Sequence, residues 1–101
     1  MDKILLTITT MPDIESAKQL AYLLIKDKYC GCVNIIPKVM SIYFWENNIE
    51  HAEECLLYIK SDINNKVMLL EMVKKQHPYS VPEILQLEAQ ANQDYANWLN
   101  Q

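Results

Sequence analysis

The feature that most constrains the fold is a pair of long strand-like segments separated by a short polar stretch. Residues 32–36 and 39–45 are rich in β-branched and aromatic side chains, and residues 49–60 continue that pattern. A strand over residues 49–60 would be about 40 Å long at roughly 3.3 Å per residue. A compact domain of this length is only about 34 Å across, given a radius of gyration near 13 Å. The predicted hairpin therefore overhangs its own domain.

The turn of this hairpin is predicted at Asn47 and Asn48. Asn tolerates the positive φ angles of tight hairpin turns better than most residues other than Gly. Pro37 interrupts the first strand, as a bulge or an edge strand would.

The rest of the chain alternates strand and helix patterns. Residues 3–9 predict a strand, and Pro12 and Asp13 suit the start of a helix with an apolar stripe of Ile14, Ala17, Ala21, Leu24 and Ile25. Residues 62–76 predict a second helix with a stripe of Ile63, Val67, Leu70 and Val73. Residues 83–88 predict a last strand, and a final helix starts near Asn92.

The resulting order is β-α-β-β-α-β with an extra C-terminal helix. This order is typical of the ferredoxin-like α+β fold, in which two helices cover one face of an antiparallel sheet. One domain over residues 1–101 is expected, with the other face of its sheet left open.

The hairpin is apolar on both faces, which predicts a partner. An open sheet face in water would show polar residues at alternate positions. The hairpin instead has apolar residues on both of its faces. A second copy of the chain is the simplest way to cover them. The residues predicted at this interface are Ile42, Tyr43, Phe44, Trp45, Leu56 and Tyr58.

Composition argues against several function classes. The formal net charge is −4 and the lysines are scattered, so a nucleic-acid footprint is not expected. No apolar run approaches a signal-peptide core or a membrane span, and a cytoplasmic location is expected. The chain has one glycine and no nucleophile, metalloprotease or phosphate-loop motif, so a non-enzymatic role is predicted.

The three cysteines do not suggest a disulfide framework. Cys30, Cys32 and Cys55 are odd in number, and buried core positions are one interpretation. A metal or redox role is the alternative, because Cys30 and Cys32 would share a face at strand spacing.

Two prolines stiffen the connection before the last strand. Pro78 and Pro82 have fixed φ angles, so His77, Tyr79 and Glu83 are predicted to form a preset group for a ligand or a neighbouring subunit. The simpler interpretation of His77 is a helix terminator.

Three further residues are candidates for a ligand cleft. Tyr43 and Trp45 would either pack between subunits or line a cleft. Lys60 is the most plausible cation for an anionic ligand, with a solvated surface lysine as the alternative. His51, Glu53 and Glu54 are interpreted as a polar hairpin tip.

Three segments carry a resemblance to a known family. CVNIIPKVMSIYFWENNIE, EECLLYIKS and HPYSVPEIL resemble the signature blocks of the CutA family, named for divalent-cation tolerance. The similarity extends from ITTMPDIESAKQLA to DYANWL. It implies a tight homotrimer with shared hairpins, similar to the PII signalling trimers.

The resemblance also implies a function. The expected role is metal-ion tolerance, homeostasis or signalling through an ion or small ligand bound in clefts between subunits. Two alternatives are a PII-like sensor of an anionic metabolite, which needs Lys60 and His77 in the cleft, and a trimeric scaffold for partner proteins.

The chain departs from the family pattern where copper ligands have been proposed. Thr9 stands in place of a cysteine and Gln76 in place of a second histidine. Copper or zinc binding would then depend on His77 and Met11 and be weaker. Gly31 also replaces a usual alanine, with no functional interpretation.

Overall fold

The computed structural model describes residues 2–101, and its elements follow the predicted order. They are β1 (Asp2–Met11), α1 (Ile14–Lys26), β2 (Cys32–Trp45), β3 (Asn48–Ser61), a 3-10 turn (Ile63–Asn65), α2 (Lys66–Gln76), β4 (Ile84–Ala91) and α3 (Gln93–Leu99). In this part of the chain the strands form one antiparallel sheet in the order β2-β3-β1-β4. The ferredoxin-like prediction is confirmed.

The β2-β3 hairpin extends well past the rest of the sheet. Each strand has 14 residues, whereas β1 pairs with β3 only from Cys55 to Ser61. Residues 48–54 of β3 therefore pair with β2 alone. The molecule measures 45 × 25 × 23 Å along its principal axes. This elongation agrees with the predicted overhang.

The turn lies one residue earlier than the sequence predicts. Trp45 pairs with Asn48, so the two turn residues are Glu46 and Asn47, with φ angles of 48° and 67°. Positive φ at both central residues is the conformation of the two-residue turn whose twist matches a hairpin. Asn48 instead opens β3 and donates through its side chain to the carbonyl oxygen of Glu46. The bulge predicted at Pro37 is present, as a register shift between Ile36 and Val39.

One face of the sheet packs on α1 and α2 and forms the main core. Asp13 caps α1 by accepting a hydrogen bond from the backbone N–H of Ser16 at 2.8 Å, which lowers the pKa of its carboxyl group.

The buried residues of both helices differ in part from the predicted stripes. The helices bury Ala17, Leu20, Leu24, Leu69 and Val73, whereas Ile14, Ile25 and Val67 are exposed.

The shift on α2 has a local cause. The first turn after Asp62 is 3-10 rather than α-helical, and α2 begins only at Lys66. A 3-10 turn has three residues per turn rather than 3.6, so it changes which side chains face the sheet.

The sequence predicts that the opposite face of the sheet is open, but α3 covers one end of it. Ala96 and Leu99 of α3 pack against Ile4 and Ala91 in a second apolar cluster. Beyond α3, the same face shows apolar side chains that are only partly buried or are exposed, namely Leu6, Ile8, Leu56, Tyr58, Leu85 and Leu87. We call these six residues the open-face patch. Among residues 2–101, no helix combines the length and hydrophobicity that a membrane crossing requires.

Gly31 lets the end of α3 approach the start of β2. A Cβ atom at position 31 would clash with the backbone oxygen of Leu99. We expect Gly31→Ala to destabilise the fold by about 1–3 kcal/mol, the usual cost of overpacking. Chemical denaturation measures this cost, with Ala52→Gly in the hairpin as a distant control. Unchanged stability of Gly31→Ala would contradict the close packing of α3.

Candidate functional site

A large cleft lies between the overhanging hairpin and the connection from α2 to β4. Its volume is about 830 Å³. One wall comes from β2 and β3, and the other from residues 78–83. The side chains that give this hairpin cleft its chemistry are Tyr43, Trp45, Glu54, Tyr79 and Glu83.

The hairpin wall follows from strand alternation and register. Tyr43 and Trp45 are two residues apart on β2 and so point to the same face of the sheet. Glu54 pairs with Val39, directly after the bulge, at the base of the overhang. Paired residues in an antiparallel sheet share a face, so Glu54 lies on the same side as the two aromatic rings.

His77 positions the wall formed by residues 78–83 without lining the cleft. Its Nε2 lies 2.8 Å from the carbonyl oxygen of Thr10 and 3.2 Å from Thr9 Oγ1. Its Nδ1 accepts the backbone N–H of Tyr79 at 3.1 Å. A carbonyl oxygen only accepts, so Nε2 is the ring nitrogen that donates. His77 thus positions Tyr79 and is not itself among the residues that line the cleft.

Tyr79 joins the connection to the base of the hairpin. Its hydroxyl donates to Glu54 Oε2 at 2.7 Å, and its ring lies 4.9 Å from the His77 ring. Burial of the phenol, together with the neighbouring Glu54 carboxylate, raises the pKa of Tyr79 above its ordinary value. A raised acid pKa means that folding favours the neutral phenol, a contribution lost as the pH rises through the folded value.

A spectroscopic titration tests this link. The absorbance titration of Tyr79→Phe, subtracted from that of the unmodified protein, reports the ionisation of Tyr79 alone. We expect its midpoint above the ordinary tyrosine value of about 10. Glu54→Gln should lower the midpoint, because it removes the negative charge beside the phenol. A midpoint at the ordinary value that does not respond to Glu54→Gln would rule out the hydrogen bond.

The predicted cleft residues are only partly brought together. Tyr43, Trp45, Tyr79 and Glu83 line one cavity. Lys60 does not, since its Nζ lies 3.3 Å from the Tyr95 hydroxyl and 5.4 Å from the centre of that ring. Lys60 pairs with Leu6, whereas the cleft begins at Thr10, four residues or about 13 Å along β1. Within one subunit, the cation expected for an anionic ligand is therefore at the other end of the sheet.

Glu54 is the cleft residue that the sequence interpretation missed. The sequence pattern predicts a place in the polar hairpin tip, whereas Glu54 lies at the base of the overhang and bonds to Tyr79. The available signal was its place at the boundary where the polar stretch meets the apolar run that starts at Cys55. Nothing in the sequence indicates that Thr9 and Thr10 bond to His77, because both are buried strand residues.

The residues present do not fit a copper site built on His77 and Met11. Both ring nitrogens of His77 already have hydrogen-bond partners. Met11 is buried in the core cluster between the sheet and the helices. Among residues 2–101 no three His, Cys, Asp or Glu side chains come together as a metal site. Metal ligation by this pair stays a prediction that the geometry does not support.

The cysteines do not form a shared thiol site. Cys30 lies in the main core cluster, and Cys32 packs against the second cluster under α3. The expectation that they share a face is wrong, because β2 begins only at Cys32 and Cys30 belongs to the preceding loop. Burial raises the pKa of the Cys30 thiol to about 12, so this thiol stays protonated at neutral pH.

Known structures with the same fold cover nearly the whole chain. The divalent ion tolerance protein CutA1 of Ehrlichia chaffeensis superposes with a TM-score of 0.93 at 29% identity, covering 98% of this chain and 94% of that one. The corresponding protein of Thermus thermophilus gives 0.89 at 37% identity, with 96% and 95% covered. A protein of Archaeoglobus fulgidus described as periplasmic divalent cation tolerance protein CutA gives 0.90 at 28% identity, with 95% and 94% covered.

Sequence comparison gives the same family. The divalent-cation tolerance protein CutA of Pectobacterium atrosepticum is 38% identical over 94 residues, which are 92% of this chain and 86% of that protein. The profile described as CutA1 divalent ion tolerance protein matches residues 5–101. The chain therefore belongs to the CutA1 divalent ion tolerance protein family.

Proposed function

We propose that the protein is a non-enzymatic homotrimer that contributes to divalent-cation tolerance by binding a cation or small ligand in clefts between its subunits. The observation that supports this most is the hairpin cleft, which lies on the sheet face that a neighbouring subunit would cover. Its volume of about 830 Å³ is in the usual range for small-molecule sites, and its walls combine aromatic rings with carboxylates.

The trimer is supported by apolar surface that a single subunit leaves uncovered. In the open-face patch, Leu85 and Leu87 are 51% and 46% exposed. On the hairpin, Ile42 and Phe44 are 70% and 68% exposed. Exposed apolar surface of this extent is typical of an interface between copies.

The charge of the cleft favours a cation over an anion. Glu54 and Glu83 contribute carboxylates, while the residues lining the cleft, all within 2–101, include no lysine, arginine or histidine. The alternative of an anionic metabolite sensor depends on Lys60, which contacts Tyr95 elsewhere. Cytoplasm remains the proposed compartment, although the Archaeoglobus fulgidus relative is described as periplasmic.

Native mass spectrometry of the untagged protein tests the proposal. We expect three subunits in one complex, and a retained cation or small mass when the protein comes from lysate or receives added zinc or copper. A monomer at micromolar concentration would overturn the trimer. A trimer that retains nothing under any of these conditions would favour a scaffold for partner proteins.

A further inference from the structure

We infer that the hairpin cleft takes a small organic cation, a primary alkylammonium, in preference to a bare transition-metal or calcium ion. The inference rests on the proposed function, since it names the class of ligand that the same cleft binds. Three features of the cleft carry it, namely its aromatic walls, its carboxylates and the lack of a metal-ligand cluster.

The aromatic side chains supply surfaces that attract organic cations. Tyr43 and Trp45 on the hairpin and Tyr79 on the connection line one cavity. The face of an aromatic ring carries partial negative charge and attracts an ammonium group within about 6 Å of its centre. The same faces pack against an alkyl chain, which a bare metal ion lacks.

The carboxylates supply acceptors for an ammonium group. Glu54 uses Oε2 for the Tyr79 hydroxyl, and no bond within residues 2–101 occupies its Oε1. Glu83 is exposed at the cleft, and within the described chain its carboxylate forms no ion pair. An ammonium group has three N–H donors and no acceptor, so it matches walls of carboxylate and hydroxyl oxygens.

A transition-metal or calcium ion is less well served by the same walls. Transition metals favour nitrogen and sulfur ligands, and within residues 2–101 the cleft lining contains no His, Cys or Met. Calcium takes six to eight oxygen ligands, several of them from carboxylates. The carboxylates of Glu54 and Glu83, the first of them already bonded to Tyr79, fall short of that requirement.

The test uses putrescine, a four-carbon diamine, titrated into the full-length protein by isothermal calorimetry. Two comparison compounds have the same chain length, neutral 1,4-butanediol and anionic succinate. We expect putrescine to bind at one site per subunit, and butanediol and succinate to bind at least tenfold more weakly. Absence of putrescine binding, or equal binding of butanediol, would overturn the inference.

Two variants locate the site. Glu83→Gln should weaken putrescine binding at least tenfold, because it removes a charge from the cleft and keeps the shape of the side chain. Glu71→Gln makes the same change on the exposed surface of α2, away from the cleft, and should stay within twofold of the parent. Circular dichroism confirms that both variants are folded. Equal affinity of a folded Glu83→Gln variant and the parent would contradict binding in this cleft.

A zinc titration separates this inference from the proposed function. Zinc binding that Glu83→Gln weakens, without any putrescine binding, would overturn the organic cation and leave the proposed cation-binding cleft standing. Failure of both ligands with the parent protein, together with a trimer that retains no mass, would overturn both.

Discussion

Leu56→Glu is expected to convert the proposed trimer into monomers. Leu56 belongs to the open-face patch, between Ile36 on β2 and Thr10 on β1. In a symmetric assembly that buries this patch, each copy would place one carboxylate in an apolar interface. Burying an unpaired charge costs several kcal/mol, roughly. At about 1.4 kcal/mol per factor of ten, the dissociation constant should rise by about a thousandfold or more.

Light scattering coupled to size-exclusion chromatography measures this change directly. The mass of the variant should fall to that of one chain, 11.8 kDa. Val67→Glu is the matched control, because Val67 is 69% exposed on α2, which packs on the other face of the sheet. It introduces the same charge and should leave the trimer intact. A trimeric Leu56→Glu variant would show that the open-face patch is not the interface.

Leu57→Ala, one residue further along β3, is expected to weaken folding itself. Leu57 is fully buried in the core cluster on the helix face of the sheet. Truncating a buried leucine removes apolar contacts and leaves a cavity, which together cost about 2–5 kcal/mol. The midpoint of chemical denaturation should fall accordingly. All variants are compared at one protein concentration, because assembly adds to the measured stability.

The comparison with Leu56→Ala separates the two faces. The two leucines are adjacent on one strand and lose the same atoms. Leu57→Ala should lower stability also at a protein concentration low enough for the protein to be monomeric. Leu56→Ala should act mainly on assembly. Equal effects of both alanine variants on a monomer would contradict the assigned orientation of β3.

The oligomeric state should also affect ligand binding in the hairpin cleft. The overhanging hairpin contributes Tyr43 and Trp45 to the cleft and also exposes Phe44, which does not line the cleft. A neighbouring subunit that covers Phe44 would hold the hairpin in position. We therefore expect any ligand affinity of the Leu56→Glu monomer to be lower than that of the trimer.

Much of the fold could be predicted because it depends on local pattern. The element order, the length of the hairpin and the bulge at Pro37 follow from residue type and spacing. The sequence predicts the turn one residue late, because Asn48 suits a positive φ better than Glu46 does, and only the pairing of Trp45 with Asn48 places Glu46 in the turn.

The candidate site was predictable only in part. Pro78 and Pro82 do mark the wall that presents Tyr79 and Glu83, since fixed φ angles act locally. Sequence spacing could not place Lys60, because the register between β3 and β1 puts it beside Leu6 and under Tyr95 of α3. Whether Lys60 reaches the cleft depends on contacts between elements that are far apart in the chain.

The sequence by itself determined which segments form strands and helices and that the hairpin outgrows its domain, since these follow from periodicity and backbone preference. Only the tertiary structure decided that α3 covers one end of the second face, that His77 positions Tyr79, and that Glu54 meets Tyr79. The second apolar cluster brings together Ile4 and Leu99 from opposite ends of the chain, and the bond from Tyr79 to Glu54 joins residues 25 positions apart. They depend on strand register and helix packing, which local pattern does not specify.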